Sequence, residues 1–266
     1  MPKNHPFGTF HHPSPISLSA PLNFLIPDYM GRIIAAMRIP LTKHGLPQVA
    51  IFPAVVLLLI AGVFALGPKL LTPLSIVACQ SILLILLIWV LSFFRDPARP
   101  ITTDKNLLLA PADGKIADIE LVDEKTFIGP KTLRIGIFLS IFNCHINRSP
   151  CAAKVEMVTH KPGRYRMAFN ADAGKINESN DIALTRLDEP LDRLLVRQIS
   201  GAIARRIVCE LRGGEKLAIG QVFGMIKFGS RTELYLPMRE DVKCLVSVGD
   251  NVKAGLTPFV RYETSG

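Results

Sequence analysis

Two long stretches without a charged side chain limit what this chain can fold into. None occurs in residues 45–68, and after Lys69 there is none until Arg95. Each stretch exceeds the ~20 apolar residues that a helix needs to cross a bilayer. The first, VAIFPAVVLLLIAGVFAL, has Pro53 near its start, where a proline is tolerated. The second, LSIVACQSILLILLIWVLSFF, brings Trp89 close to its exit, and aromatic residues favour the membrane interface. The link GPKLLTP is too short to be a domain, so the two runs are expected to form a helical hairpin. The alternative, core helices of a soluble protein, is disfavoured because consecutive apolar runs of this length are rare in soluble cores.

Charge then suggests an orientation. Arg32, Arg38 and Lys43 precede the hairpin, Arg95 and Arg99 follow it, and the tight link carries only Lys69. The positive-inside rule places both ends, and the C-terminal part with them, in the cytoplasm at the cell membrane, the inner membrane of a bacterium. Neither run starts close enough to Met1 to read as a cleavable signal peptide. A net charge of +9 suits a protein on an anionic leaflet. Nucleic acid is the competing explanation, but aromatic content is low and no nucleic-acid motif is present. The five cysteines, Cys79, Cys144, Cys151, Cys209 and Cys244, have no C-x-x-C spacing, so neither a disulfide framework nor a zinc site is expected. The first 30 or so residues are rich in Pro, His, Ser and Asn and read as a disordered tail; His5, His11 and His12 lack the Cys or carboxylate partners of a metal site.

Beyond Pro100 long apolar runs give way to short alternating ones bounded by Gly, Pro and Asp, the pattern of strands in a sandwich or barrel. Strands are predicted over 133–142, 153–160, 204–211, 216–228, 232–237, 243–248 and 258–264, with a helical or irregular insertion through 162–180. The segment VSVGDNVKAGLTPF alternates around Gly249-Asp250 as a tight hairpin would. It is similar to the hairpin of biotinyl and lipoyl carrier domains but lacks the carrier lysine in the turn, which argues for the shape and against the carrier function. The expected fold is therefore α+β: a tail (1–44), a membrane hairpin (45–95) and a β-rich catalytic domain (96–266).

Three stretches of the β region hold reactive residue types: PADGK with Asp113, FNCHINRSP with His145, and KFGSR with Ser230. Singly, each has a bland reading as a turn former, a structural histidine or a loop. Together they supply a nucleophile, a base and a carboxylate to orient the base, the division of labour of serine hydrolases. The G-x-S-x-G elbow is absent, since the chain reads Phe228-Gly229-Ser230-Arg231-Thr232 in a strand context. A membrane-anchored serine hydrolase using Asp113, His145 and Ser230 stays as the alternative, as does a non-catalytic membrane-bound sandwich.

FFRDPAR after the hairpin, APADGKI, IFLSIFNCHINRSP and KFGSR…YLP occur in the order and approximate spacing of the phosphatidylserine decarboxylase family, in its short form with an N-terminal hairpin. The resemblance covers about residues 45 to 260. It implies that Ser230 attacks the carbonyl of Gly229, that the chain breaks between 229 and 230, and that Ser230 becomes a pyruvoyl group. His145 would deprotonate Ser230 while Asp113 holds the imidazole tautomer. The pyruvoyl ketone would condense with the substrate amine and accept the electron pair left as CO2 departs, converting phosphatidylserine to phosphatidylethanolamine with no metal or added cofactor. The products of scission would be a large chain (1–229) and a small chain (230–266) that stay together as a heterodimer. A homodimer is the default for higher assembly. Gly229 would suit the role because, lacking a Cβ, its backbone can adopt the strained approach that the acyl shift requires, which a bulkier residue would obstruct, and Arg95 and Arg99 would lie near the phosphate level of an anionic membrane.

The chain departs from the family pattern at three places. Lys227 stands where Arg commonly precedes the Phe-Gly-Ser, Asn143 where longer members often have Asp, and NESN (177–180) resembles a relaxed N-E-R-N motif, in which Glu178 or Asn180 would meet the polar head.

Overall fold

A computed structural model describes residues 41–45, 47–166, 176–201, 206–227 and 229–263. The expected tail with His5, His11 and His12 falls outside the described residues, as does the middle of the expected 162–180 insertion, residues 167–175.

The apolar runs form helices α1 (Gln48–Leu70) and α2 (Pro73–Phe93). Thr72 starts α2: its Oγ1 accepts from the N–H of Ser75, and Pro73, which has no N–H to satisfy, takes the first turn. The helices run against each other, with Gln80 Nε2 donating to the carbonyl of Ile60 at 3.0 Å. Their surfaces are otherwise bare. Only Val56 and Gly67 of α1, and Val90 and Phe93 of α2, are buried, while Leu58, Phe64 and Leu74 are each more than 70% exposed. Both helices are long and apolar enough to cross a membrane, and unlike core helices they are not covered by protein. The two ends of the hairpin are tied together where they meet the β region. Thr42 N–H donates to Phe94 O at 2.9 Å, and Leu41 bridges to Arg95.

Among the described residues fourteen strands follow: β1 (Leu107–Leu109), β2 (Gly114–Glu124), β3 (Gly129–Leu139), β4 (Ile146–Arg148), β5 (Ala153–Lys161), β6 (Ser179–Arg186), β7 (Arg193–Ile199), β8 (Ile207–Cys209), β9 (Lys216–Leu217), β10 (Val222–Ile226), β11 (Ser230–Pro237), β12 (Val242–Cys244), β13 (Asn251–Val252) and β14 (Pro258–Tyr262). Eight form one curled antiparallel sheet in the order β13-β2-β3-β11-β7-β6-β5-β9; two three-stranded sheets, β1-β14-β12 and β4-β10-β8, complete the domain. The α+β class expected from the sequence is what the chain adopts. One face of the large sheet packs Ile135, Ile137, Val196, Leu234 and Leu236 into the main core with Phe259 and Val260.

The pattern of alternation does not anticipate β6 or β7, because Asp181 and Arg197 on their other face are buried as an ion pair instead of solvated, nor β2, whose register shifts at Ile116/Asp118 and Val122/Glu124. The single strand predicted over 216–228 is two strands, β9 and β10, separated by a turn at 218–221. The Gly249-Asp250 turn is present, with Asp250 Oδ2 accepting from Ser247 N–H at 2.8 Å, but its flanks do not pair as a tight hairpin. Residues 242–244 pair with β14 and residues 251–252 with β2, since those edges offer free backbone partners.

Candidate active site

Ser230 opens β11 at the centre of the large sheet, opposite Leu139 of β3. Neighbouring strands on both sides leave it fully buried, yet its hydroxyl finds no hydrogen-bond partner. A buried hydroxyl without a partner loses its hydration without compensation, so its presence calls for an explanation. Gly229 just before it has φ +63°, the left-handed region that costs a residue with a Cβ roughly 1–2 kcal/mol. The expected steric obstruction is corrected here. A Cβ at 229 would meet nothing nearer than Ile141 Cγ2 at 3.9 Å, so dihedral angle and not space requires the glycine.

His145 lies at the end of the loop joining β3 to β4. Asn143 builds that loop: its Oδ1 accepts from the Ser140 N–H and hydroxyl, both at 2.8 Å. Its carbonyl oxygen lies 3.0 Å from His145 Nδ1. With Nδ1–H donating there, Nε2 keeps a lone pair, and the N–H of Gly229 donates to it at 3.3 Å. The imidazole is thus anchored on the peptide unit next to Ser230. Phe93, from the last turn of α2, covers the ring with centroids 4.3 Å apart. Burial is the main reason that the His145 pKa falls to about 4; the nearby Arg95 lowers it further, and the Asn143 carbonyl and Asp113 oppose the fall. The ring is therefore neutral at pH 7 and able to take a proton.

Asp113 is not where an imidazole-orienting carboxylate would be. Arg99 clamps it with two bonds, 2.6 and 2.8 Å, and the N–H of Ala254 donates to it at 2.8 Å. It is the Asn143 carbonyl, and not Asp113, that lies within hydrogen-bond distance of His145 Nδ1, while the Asp113 oxygens face Arg99 and the Ala254 N–H. Asp113 acts on His145 through space, raising its proton affinity. Arg99 is corrected with it: it is not turned to a membrane surface but buried against Asp113 and the Ala254 carbonyl. Arg95 likewise binds Ser92 O and Phe142 O, which fastens the exit of the hairpin to the His145 loop.

Sequence reasoning overlooked several polar groups behind the site. Asn147 receives a bond from Gln198 Nε2 (2.8 Å) and donates to Thr232 Oγ1 (3.1 Å), while Asn180 donates to Gln198 Oε1 (3.1 Å). Asn180 is thus committed to a buried amide chain. Asn147 lies in the quoted FNCHINRSP motif, two residues after His145, a signal that was available. The next residue of β4, Arg148, holds Asp96 of the RDP turn at 2.7 Å.

Comparison with known families matches residues 86–259 to phosphatidylserine decarboxylase. Curated relatives carrying the name phosphatidylserine decarboxylase proenzyme include one from Carboxydothermus hydrogenoformans, 43% identical over 67% of this chain and 82% of its own. Another from Symbiobacterium thermophilum is 38% identical over 85% and 97%, respectively. The chain belongs to the phosphatidylserine decarboxylase family. The matched region takes in the end of α2 and every site residue named above. The arrangement brings together, within the matched region, an unpartnered hydroxyl, an imidazole bonded to the preceding N–H and a glycine in the left-handed region.

Proposed function

We propose that this chain is a proenzyme that breaks its own Gly229–Ser230 bond, converts Ser230 to a pyruvoyl group, and decarboxylates phosphatidylserine to phosphatidylethanolamine and CO2. The observation that carries the reading is the Ser230 hydroxyl, buried without a partner beside a neutral imidazole already bonded to the N–H of Gly229. His145 Nε2 must first release the Gly229 N–H and turn to the Ser230 hydroxyl, which it does not touch in this structure; Ser230 Oγ then attacks the Gly229 carbonyl carbon as its proton passes to Nε2, and the amide becomes an ester when the proton is delivered to the departing amine. Loss of the Ser230 α-proton with cleavage of its Cβ–O bond then frees Gly229 as a carboxylate and leaves dehydroalanine, which water converts to pyruvoyl and ammonia. The pyruvoyl group, once present, supplies an electron sink for the pair released with CO2.

The protein's own residues supply the setting. His145 holds and returns protons, Asp113 paired with Arg99 favours the imidazolium that forms in transit, and burial keeps water from the ester before elimination. The names of the relatives support the substrate. The bare apolar helices, with basic residues at their outer ends, support residues 45–95 as a membrane hairpin and 96–266 as a cytoplasmic catalytic domain. Strand pairing of β11 on both sides supports chains 1–229 and 230–266 staying together after scission.

Intact-mass measurement on the purified protein tests this. Two chains are expected, the smaller comprising residues 230–266 with a blocked terminus, and Ser230→Ala should stay whole. A single unbroken chain that is nevertheless active would overturn the proposal and leave the serine hydrolase reading.

A further inference from the structure

Lys227 lies three residues before Ser230 and takes no part in the chemistry above. Its side chain is buried, and among the described residues its hydrogen bond is to a neutral group, the amide oxygen of Gln48, 2.9 Å from Nζ. Among the described residues it makes no ion pair. The charge that acts on it is another cation, Arg206, whose carbonyl accepts the Lys227 N–H at 3.2 Å; burial first and Arg206 second press the ammonium toward its neutral form. Glu210, which follows β8 on the same small sheet, is held by Lys43 and His44. Burying an ammonium beside a second cation with no anion is strongly unfavourable, so the working protein should bring a negative group to this place.

Position says which group. Gln48 is the first residue of α1, so the Lys227 ammonium sits where the first apolar helix begins, the level of lipid head groups for a membrane hairpin. The free N–H groups of that helix end add to the positive potential. Ile226, next to Lys227, donates its N–H to the carbonyl of His145, so the cation and the proposed reaction centre share one strand pair. Resting on the function proposed above, we infer that Lys227, with Arg206 beside it, binds the phosphodiester of the lipid substrate at the start of α1, fixing the head group over residue 230. The competing anion is the Gly229 carboxylate that scission itself would release.

The test separates these outcomes. Dihexanoyl-phosphatidylserine is titrated into the unsplit Ser230→Ala protein in neutral detergent and followed by fluorescence of Trp89, the one tryptophan in the chain. Adding Lys227→Met should weaken binding about tenfold or more, as loss of a hydrogen bond from a charged donor does. Adding Lys227→Arg instead should restore most of it. Gln48→Glu, which leaves the lysine in place but gives it a carboxylate, should weaken binding similarly and covers the case in which Lys227→Met does not fold. In otherwise unaltered protein both Lys227→Met and Gln48→Glu should raise KM for phosphatidylserine in mixed micelles more than they lower kcat. Unchanged lipid affinity in both variants overturns the inference. So does slowed scission with unchanged affinity, which would assign the ammonium to the Gly229 carboxylate. If the wild-type chain stays unsplit yet Lys227→Met loses lipid, the function reading fails and the lipid site stands.

Discussion

The chain is held very differently on the two sides of the Gly229–Ser230 bond. Downstream, β11 runs through the middle of the largest sheet, paired with β3 and β7, and its residues through Leu236 are all buried. Leu234 and Leu236 enter the main core from one face. From the other, Arg231 binds Glu233 and Asp118, both at 2.7 Å, and Tyr235 joins Glu233 to Arg197, which is paired with Asp181. The fit is close: a Cβ on Gly136 of β3 would lie 2.0 Å from an Arg231 nitrogen. Upstream, β10 belongs to a separate small sheet, Lys227 and Gly229 lie outside any strand, and Gly229 is held by one long bond to His145. Under the scission proposed above, the side that would keep the reactive group is clamped and the end that would be released is more loosely restrained.

Four measurements can break or sharpen that contrast. The largest effect is expected downstream: Arg231→Met takes the cation from the buried carboxylate of Glu233 and leaves Asp118 to Arg134 alone, and should cost about 3–5 kcal/mol in denaturant unfolding. Leu234→Ala, on the apolar face of the same strand, should cost about 2–5 kcal/mol. A small effect from both would show that β11 is not the clamp. Next, His145→Gln should slow scission by ~10²- to 10⁴-fold in a time course of intact mass, with far less effect on unfolding. At the bond itself Gly229→Ala should slow scission roughly tenfold by drawing φ out of the left-handed region, with stability nearly unchanged because the new methyl meets only Ile141. Scission at the wild-type rate would show that the dihedral angle is not needed.

The smallest effect concerns pH. With the His145 pKa lowered from 6.5 to about 4, the base is already free near neutrality, so the scission rate should stay flat through 6.5 and fall to half only as pH passes about 4. Stability moves in the same direction. The unfolded chain binds the proton more tightly, so the contribution is complete above 6.5 and is lost as pH falls through about 4. An inflection near 6.5 in the rate would mean that the ring is solvated and not covered by Phe93.

The hairpin was legible in the sequence because lipid-facing helices need no specific partner: absence of charge over sufficient length is the whole signal. The reactive residue types Ser230, His145 and Asp113 were legible because each sits in a short motif of distinctive order. Strands β6 and β7 were not, since Asp181 and Arg197 look solvated until their ion pair is seen.

Residue order alone, then, determined the membrane-compatible hairpin, the β-rich remainder and the identity of the groups that could react. Only the tertiary structure decided who holds whom: the Asn143 carbonyl and not Asp113 on the imidazole, Arg99 on Asp113, and Gln48 on Lys227 across 179 residues. The reason is physical. Composition and periodicity report what solvent a segment prefers, which is a local property. A hydrogen bond or ion pair depends on which distant atoms the folded backbone brings within about 3 Å, and many sequences with the same pattern would bring different ones.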